Sequence, residues 1–469
     1  MLKKALPILL LILCAQQLMA QQYGLFNTKT LFDGFENPAQ KVFTLDSSRQ
    51  YASNFLLPYL GINAASKGNS DFVRKLFNEQ IYNTANVPLG QKSLNTVYQH
   101  TNAYLLTLKI FNSYKYQKEL GFSWQLRTDG LLKYTNESLV LVDNYPRLEN
   151  EMPKSGAFND KGYAQTYHQF SVTYRENYTK RLSFGAKLSL LSGTSYNQLK
   201  ITDSDLDINQ TNGLLSARFV GNYRSTFKDV NELSTNTFMP TFRNPGASIS
   251  FGTSYQSKSG YFLMANLKDL GFIRWNSDSY TKNVNEIIEI EGTADSKQQF
   301  QNRLSDALLK DPERRGFYSA TNAKIDVMLS KSFGLWTPSF IVSKDLFFTG
   351  GDAVMVNKFR YNSFSVSASP TYNFHQLFYL GLQTMYQTPN FEVFLGSDDV
   401  LKTTSQVQGI LNKDATIGTG YNGASVYFGI GIKFGNHVEH PQNSSTMPGI
   451  GEESPGLFKR MFSIFSKKK

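Results

Sequence analysis

Cysteine is almost absent from the 469-residue sequence, which contains one, Cys14. A disulfide needs two cysteines, so the chain has no internal disulfide bond. Zinc sites and iron–sulfur clusters that depend on several cysteine ligands are excluded for the same reason. The fold must therefore be stabilised by side-chain packing and hydrogen bonds.

Long apolar runs are also scarce. Residues 5–13 read ALPILLLIL, which is too short for a membrane helix of roughly 20 residues. This run follows Lys3 and Lys4 and precedes the small residue Ala20. A charged start, an apolar middle and a small residue at the end predict a secretory signal peptide over residues 1–20, cleaved after Ala20.

Cys14 raises a second interpretation of this segment, because lipoproteins are acylated on a cysteine just after the apolar run. Their cleavage site requires a small residue before that cysteine, and here the residue is Leu13. We therefore expect Cys14 to be removed with the signal peptide. The predicted organisation is a signal peptide (1–20), one large domain (21–435) and a tail (436–469).

Charged residues make up 18% of the chain, whereas aromatic residues make up 14%, with 36 Phe, 26 Tyr and 3 Trp. An exported chain with little charge, many aromatic residues and no apolar run of membrane-helix length is typical of a transmembrane β-barrel, in which aromatic girdles lie at both membrane interfaces. This composition predicts the outer membrane as the location.

Apolar and polar residues alternate in many segments. In HQFSVTYR (168–175), Phe170, Val172 and Tyr174 share one face. After a short turn, RLSFGAKLSL (181–190) repeats the alternation, with Lys187 on the polar face. A two-residue period in both arms predicts a β-hairpin.

Two architectures share this pattern. In a soluble β-sandwich the apolar faces pack on each other, whereas in a membrane barrel they meet lipid and the polar faces line the lumen. Predicted strands of nine to twelve residues and a last strand ending at Phe434 favour the barrel. We predict an all-β fold, a transmembrane antiparallel barrel of about fourteen strands.

The remaining segments are predicted to be loops, short helices and a tail. Residues 143–164 and 397–420 have the composition of long loops, and residues 71–82 and 296–311 have helical periodicity. Residues 436–456 are rich in polar residues, Pro and Gly, which predicts disorder. The final LFKRMFSIFSKKK is basic and amphipathic, so it can lie on an anionic membrane, dock a periplasmic partner or simply fray.

No constellation for catalysis is present in the sequence. Five histidines include the pair in HVEH (437–440), which has no rigid scaffold around it. There is no GxSxG elbow and no glycine-rich phosphate loop. The net charge of +11 is scattered rather than arranged in a stripe. We predict no enzyme activity, no cofactor, no metal site and no nucleic-acid partner.

Three segments carry a family resemblance. They are QQYGLFNTKTLFDGFENPAQ (21–40), which contains Asn37, Pro38 and Ala39, then KDLGFIRW (268–275) and NFEVFLGSDDVL (390–401). In this order they resemble an uncharacterised outer-membrane barrel family of the Bacteroidota, distantly similar to FadL-like long-chain fatty-acid transporters. The resemblance implies a hatch inside the barrel that includes Asn37, Pro38 and Ala39. Its motif residues are Asp269, Gly271, Arg274, Trp275, Gly396 and Asp398.

KDLGFIRW follows an alternating strand, GYFLMANL (260–267). We interpret it as the point where a strand leaves the membrane: Lys268 and Asp269 at the water interface, Gly271 at a bulge and Trp275 in an aromatic girdle. A ligand role for Asp269 or Arg274 is the alternative, because charged residues on barrel strands tend to face the lumen.

The predicted function is passage of small hydrophobic or amphiphilic molecules, as the FadL-like resemblance implies. The alternative is a non-transporting barrel that scaffolds a secretion or envelope complex. The expected partners are outer-membrane lipid, hydrophobic small molecules and periplasmic or envelope proteins bound through the C-terminal tail.

Overall fold

A computed structural model describes residues 25–43, 49–90, 94–111, 118–149, 155–209, 214–227, 239–291, 297–437 and 456–466. In these ranges nineteen strand segments form one continuous antiparallel sheet. The strands are β1 (Arg49–Ser53), β2 (Tyr59–Lys67), β3 (Asn95–Phe111), β4 (Glu119–Tyr134), β5 (Lys161–Asn177), β6 (Leu182–Asn209), β7 (Leu214–Ser225), β8 (Pro245–Gln256), β9 (Tyr261–Trp275), β10 (Tyr280–Glu291), β11 (Glu313–Arg314), β12 (Phe317–Ala320), β13 (Lys324–Lys331), β14 (Trp336–Asp345), β15 (Gly351–Tyr361), β16 (Phe364–Asn373), β17 (Leu377–Gln387), β18 (Phe391–Ser397) and β19 (Asn422–His437). The helices are α1 (Asp33–Glu36), α2 (Ser70–Arg74, continued by a π-helical turn, Lys75–Glu79), α3 (Asn136–Asp143, followed by a 3₁₀ turn, Tyr145–Glu149), α4 (Lys297–Leu309), α5 (Val400–Asn412) and α6 (Leu457–Ser466).

The sheet closes into a barrel of fourteen wall strands. β1 and β2 are two halves of one strand, since both pair with β19 and with β3. β12 and β13 likewise form one interrupted strand along β9. β7, β10 and β11 pair beyond the wall, so the other sixteen segments, with these two pairs each counted as one strand, form a closed ring of fourteen strands. The predicted antiparallel barrel of about fourteen strands is confirmed.

The two ends of the barrel differ. At one end the hairpins close with short turns, such as residues 178–181 between β5 and β6 and residues 362–363 between β15 and β16. β1 begins and β19 ends at this short-turn end. The long connections, including those between β2 and β3, β4 and β5, and β18 and β19, begin and end at the opposite, long-loop end. There the second half of β6 leaves the wall and pairs with β7, which pairs with β10.

The polarity of the wall is inverted relative to that of a water-soluble protein. On β6, Leu188 and Leu190 are 62% and 63% exposed on the outer face, whereas Lys187, Ser189 and the polar neighbours on β5 are buried inside. An alternating strand that exposes its apolar side and buries its polar side fits a membrane barrel and does not fit a sandwich.

An apolar core at the long-loop end joins α3 and α4 to the part of the sheet that extends beyond the wall. Val140 and Leu148 are fully buried in it, and Phe158, Phe219 and Leu304 pack around them. The two helices expected from periodicity are confirmed in α2 with its π turn and in α4. Burial of their apolar sides against the loops explains why they form.

The prediction of a loop over residues 397–420 was wrong. This segment contains the thirteen-residue helix α5, which begins after Asp399, whose carboxylate accepts the Lys402 N–H at 3.2 Å. Leu401 and Leu411 are more than half exposed, so the helix has no continuous buried stripe that a periodicity search would detect. The capping aspartate was the available signal. The expected loop at 143–164 also contains the 3₁₀ turn and the start of β5.

Candidate functional site: a charged lumen closed by an N-terminal hatch

The N-terminal segment, residues 25–43, occupies the lumen; we call it the hatch. Phe32 and Phe35 are fully buried. The Phe32 ring lies 4.9 Å from the ring of Tyr59, 5.5 Å from that of Tyr104 and 5.9 Å from that of Phe394, measured between centroids. The hatch thus carries its own apolar side chains into the lumen and packs them on inward-facing aromatic residues of the wall.

A turn at Asp33 shapes the hatch. Its carboxylate accepts the N–H groups of Thr28 and Lys29 at 2.8 and 2.7 Å and the Thr30 hydroxyl at 2.7 Å. The hatch is joined to the wall where the Leu31 N–H donates to the Glu392 carboxyl group at 2.6 Å. These bonds satisfy backbone groups of a buried segment that has little regular structure.

Asn37, Pro38 and Ala39 lie in this hatch, inside the barrel. Asn37 accepts the Ala39 N–H at 2.9 Å, which closes a tight turn. The turn presses on two inward-facing glycines of the wall: a β-carbon at Gly185 would lie 2.1 Å from the Pro38 carbonyl oxygen, and one at Gly252 would lie 2.1 Å from Asn37 Oδ1. Glycine at these two wall positions makes room for the hatch.

Glu36 connects the hatch to the charged part of the wall. It accepts the Tyr104 hydroxyl at 2.5 Å and the Asn102 amide at 2.8 Å, and it forms an ion pair with Lys268. Burial alone would raise the pKa of Glu36, but the positive charges of Lys268, Arg127 and Lys187 outweigh it and hold the pKa at about 2. The carboxylate is therefore ionised at neutral pH and attracts the wall.

The KDLG segment is a bulge in the middle of β9. The register with β8 shifts at this point, and Asp269 takes the left-handed conformation with φ of 51°. A bulge breaks the alternation, so Lys268 and Asp269 both reach the lumen although they are adjacent. Lys268 pairs with the hatch, and Asp269 pairs with the wall cations Arg127 and Lys187.

Asp269 is the centre of a buried polar network. Lys187 Nζ lies 2.7 Å from its carboxylate, Arg127 forms a second ion pair, and the Gln169 amide donates to it at 2.8 Å. Its own N–H donates to Ser250 Oγ at 2.8 Å. The side chain of Asp269 is 1% exposed. The expectation of a water-interface position for Asp269 was wrong, because the bulge turns the residue into the lumen.

The other motif residues of this strand also differ from the expectation. Gly271 lies two residues after Asp269, and a β-carbon there would be 2.2 Å from the Ala247 carbonyl oxygen. The glycine therefore permits β8 and β9 to approach closely and is not the bulged residue. Arg274 is exposed, on the opposite face from Asp269 and away from the lumen network. Trp275 is 1% exposed, packs on Tyr196 and Phe317 and donates to Ser319 Oγ at 2.8 Å, so it is a buried residue and not part of an exposed girdle.

The late motif lies at the rim of the lumen at the long-loop end. The Asp398 N–H donates to Ser425 Oγ at 2.9 Å, and the Asp398 side chain is buried. Gly396 provides space for the Tyr427 ring, which a β-carbon would meet at 2.4 Å. No contact joins these residues to the hatch turn at Asn37 or to Asp269, so the three motifs do not form one site.

Sequence reasoning missed most of the buried charges. A second cluster lies near the short-turn end, where Glu119 is 3.6 Å from Lys109 Nζ and 3.4 Å from the Arg175 guanidinium. Arg175 also donates to the Ala39 carbonyl oxygen at 2.9 Å and so reaches the hatch. Alternation in residues 168–175 placed Arg175 on the polar face, but its partner Glu119 is 56 residues away in the sequence.

At the long-loop end, the apolar core borders a partly open cavity of about 130 Å³. Leu139, Phe158, Phe219 and Leu304 are among its lining residues. Asp160 is the carboxylic acid in the lining and accepts the Thr135 N–H at 2.9 Å. Burial raises the pKa of Asp160 to about 6. We call this the loop cavity.

Within the described ranges, no group of three or more His, Cys, Asp or Glu side chains is arranged to hold a metal ion. The described helices are too short or too polar to cross a bilayer. His440 of the HVEH pair lies outside the described residues, and so do the predicted signal peptide and residues 438–455 of the tail.

These features define a class of protein: a closed fourteen-strand antiparallel β-barrel with an N-terminal hatch in its lumen. The chain belongs to the family of unknown function DUF5723, whose model matches residues 46–398. The match includes the KDLG bulge and ends at Asp398, whereas the hatch precedes it. No curated protein matches the chain.

Several solved structures are similar in outline at very low identity. The toluene transporter TodX of Pseudomonas putida is 10% identical, with 88% of this chain and 94% of that chain covered and a TM-score of 0.40. A Pseudomonas aeruginosa FadL homologue is 7% identical, with coverages of 83% and 90% and a TM-score of 0.37. The translocator domain of the autotransporter NalP from Neisseria meningitidis is 7% identical, with coverages of 82% and 88% and a TM-score of 0.32.

Proposed function

We propose that the protein is an outer-membrane channel, not an enzyme, for small hydrophobic or amphiphilic molecules, which enter through the loop cavity and pass when the hatch moves. The observation that carries this proposal is the apolar loop cavity directly at the long-loop end of a barrel. Such a cavity is where a hydrophobic molecule would first leave water.

The outer-membrane location is supported by the wall. An exposed apolar belt with a polar interior is the arrangement that lipid requires. In bacterial barrels the short turns face the periplasm and the long loops face outward. The loop cavity would therefore face the cell exterior. The end of the hatch that leads into β1 would face the periplasm.

The size of the loop cavity suggests the size of the ligand. A dry apolar cavity of roughly 150 Å³ accommodates benzene. The loop cavity, at about 130 Å³, is close to that size. Its aromatic lining, with Phe158 and Phe219 ring centroids 5.4 Å apart, offers favourable edge and face contacts to a second ring. Asp160 adds one polar contact. We expect a single aromatic ring or a short acyl chain to fit.

The hatch supports gating because it is held by separable contacts. Its polar ties to the wall include those of Glu36, Leu31 and Ala39, which contact Lys268, Glu392 and Arg175. The hatch is not a strand of the wall, so it can be displaced without opening the barrel ladder. Movement of the hatch is part of the proposal.

The experiment fills the loop cavity. Leu139→Trp adds bulk inside it, and Ile287→Trp adds the same bulk on β10 at a residue that is 62% exposed. Toluene uptake is measured in intact cells whose lipopolysaccharide outer membrane is the barrier. We expect cells with the wild-type protein or the Ile287→Trp variant to take up more toluene than cells without the protein. Toluene uptake by cells with Leu139→Trp should be about tenfold lower than with wild type. Equal uptake with and without the protein would contradict the proposal.

A structural barrel is the second candidate, and the filled lumen favours it. Leu25, Phe32 and Phe35 of the hatch are fully buried, together with the charges around them. If toluene uptake does not depend on the protein, and deletion of residues 436–469 abolishes capture of an envelope protein, the scaffold function replaces the channel.

A further inference from the structure

The C-terminal helix α6 lies on the outside of the barrel, against the wall at the short-turn end. Phe458 is only 5% exposed, and its ring centroid is 5.8 Å from that of Tyr174, 5.9 Å from that of Phe184 and 6.1 Å from that of Phe251. Phe462 continues the contact at 5.5 Å from Phe184. These wall residues lie on the same outward face as the exposed apolar belt, so the helix covers the edge of that belt.

A buried acid fixes the start of α6. Glu176 is on the outward face of β5, yet it is 1% exposed because the helix lies over it. Its carboxylate accepts the Lys459 N–H at 2.8 Å and the Tyr174 hydroxyl at 2.5 Å. A β-carbon at Gly456 would lie 2.0 Å from this carboxylate, so a larger residue there would displace the Glu176 side chain. An outward carboxylate at the edge of an apolar belt is unfavourable unless it has donors, and α6 supplies one.

The surface of α6 that faces away from the wall is itself amphipathic. Leu457 and Met461, one helical turn apart, are 60% and 42% exposed. Lys459 and Arg460 are also exposed. An interfacial helix has this arrangement, with apolar side chains that enter the acyl boundary and basic side chains that meet lipid phosphates.

We propose that α6 is an interfacial helix, docked on the barrel wall through Phe458 and Glu176, that binds anionic phospholipid headgroups of the periplasmic leaflet through Lys459 and Arg460. A lipid is favoured over a protein partner because the aromatic side of α6 is already covered by the wall. Its exposed surface is therefore next to the lipid belt. The inference rests on the proposed membrane location of the barrel and does not depend on channel activity.

The test uses the full chain in liposomes, with Cys14 changed to Ser and a polarity-sensitive fluorophore on Met461→Cys. The matched control carries the same label on Tyr361→Cys, a 70% exposed residue at the short-turn end far along the sheet from β5. Nitroxide-labelled phosphatidylglycerol and nitroxide-labelled phosphatidylcholine are compared as quenchers. A difference in gel mobility between the unheated and the boiled sample verifies that the barrel is folded.

We expect the label at 461 to be quenched, with phosphatidylglycerol favoured over phosphatidylcholine by roughly fivefold per cation. Lys459→Glu/Arg460→Glu should abolish this preference, whereas Arg181→Glu/Lys258→Glu on neighbouring turns should retain it. A second variant, Glu176→Gln with Phe458→Ala, should weaken quenching at 461 because the helix leaves the wall.

A label at 461 that reports water while the label at 361 reports lipid would overturn the inference and leave the membrane location intact. Equal quenching by the two lipids in wild type would also overturn it, since the headgroup would not be recognised. If both labels report water and the gel shift is absent, the membrane location fails, and the inference fails with it.

Discussion

Asp269→Asn is the substitution that should most disturb the lumen. The change removes the negative charge and keeps the size. It leaves the Lys187 ammonium and the Arg127 guanidinium, whose side chains are 1% and 3% exposed, without their shared counter-ion. Removing one partner of a buried ion pair costs about 3–5 kcal/mol, because the remaining charge is not solvated. Since one acid serves two cations, we expect a loss at the upper part of this range.

The assay is guanidinium unfolding in detergent, followed by tryptophan fluorescence and by gel mobility. Asp203→Asn is the matched control, because Asp203 is a half-exposed acid that pairs with Arg218 at 2.6 Å on β6 beyond the wall. Exposed pairs contribute about 1 kcal/mol or less. An Asp269→Asn variant whose unfolding free energy matches that of Asp203→Asn would refute the reasoning.

A double-mutant cycle separates the charge effect from a change in packing. Adding Arg127→Gln to Asp269→Asn removes one of the stranded cations. The double variant should be more stable than the sum of the single losses predicts, by about 1–3 kcal/mol of coupling energy. Additive losses would mean that Asp269 and Arg127 act independently despite their contact.

Three further predictions concern the hatch, the loop cavity and α5. Gly185→Ala and Gly252→Ala should each loosen the hatch by about 1–3 kcal/mol, since the added methyl overlaps it, and should increase hydrogen exchange of residues 25–43. Gly130→Ala on β4 should not increase this exchange, because a β-carbon there would lie 3.5 Å from its nearest neighbour, the Tyr163 carbonyl oxygen. The pKa of Asp160 is about 6 in the folded protein and roughly 3.9 in the unfolded chain. The protonated Asp160 therefore stabilises the loops fully below pH ~4, and this stabilisation is lost as the pH rises through 6. Hydrogen exchange of α3, corrected for intrinsic rates, should show a loss of about 1–3 kcal/mol across this window that Asp160→Asn removes. Asp399→Ala should cost α5 about 1 kcal/mol through the lost cap, measured by exchange of its amides; unchanged exchange would count against the cap.

The sequence was sufficient to predict the wall of the barrel. The period of two placed Phe170 outside and Lys187 inside, and the strand lengths and composition favoured a barrel over a sandwich. Alternation describes a strand only while it is regular, however. At Lys268 and Asp269 a bulge adds one residue, so two adjacent charged side chains face the same way, and the predicted water-interface position was wrong.

The alternating pattern could not predict which residues the buried side chains contact in the folded protein. Alternation in residues 168–175 placed Arg175 on the polar face, but it could not show that Glu119 would pair with it, or that Asp269 would pair with Arg127 from a strand 142 residues away. Trp275 was assigned to a girdle on residue type alone, and its burial depends on Tyr196 and Phe317 from other strands. The alternation along one strand does not show which distant strands become its neighbours in the fold.

The most direct test of a plugged membrane barrel is the electrophoretic mobility of the protein in the outer-membrane fraction of cells, before and after boiling. The account predicts a heat-dependent shift in mobility and, in the unheated sample, protection of residues 25–43 from added protease. A protein that fractionates with the soluble periplasm and shows no shift, or a folded barrel whose residues 25–43 are cleaved at once, would contradict it.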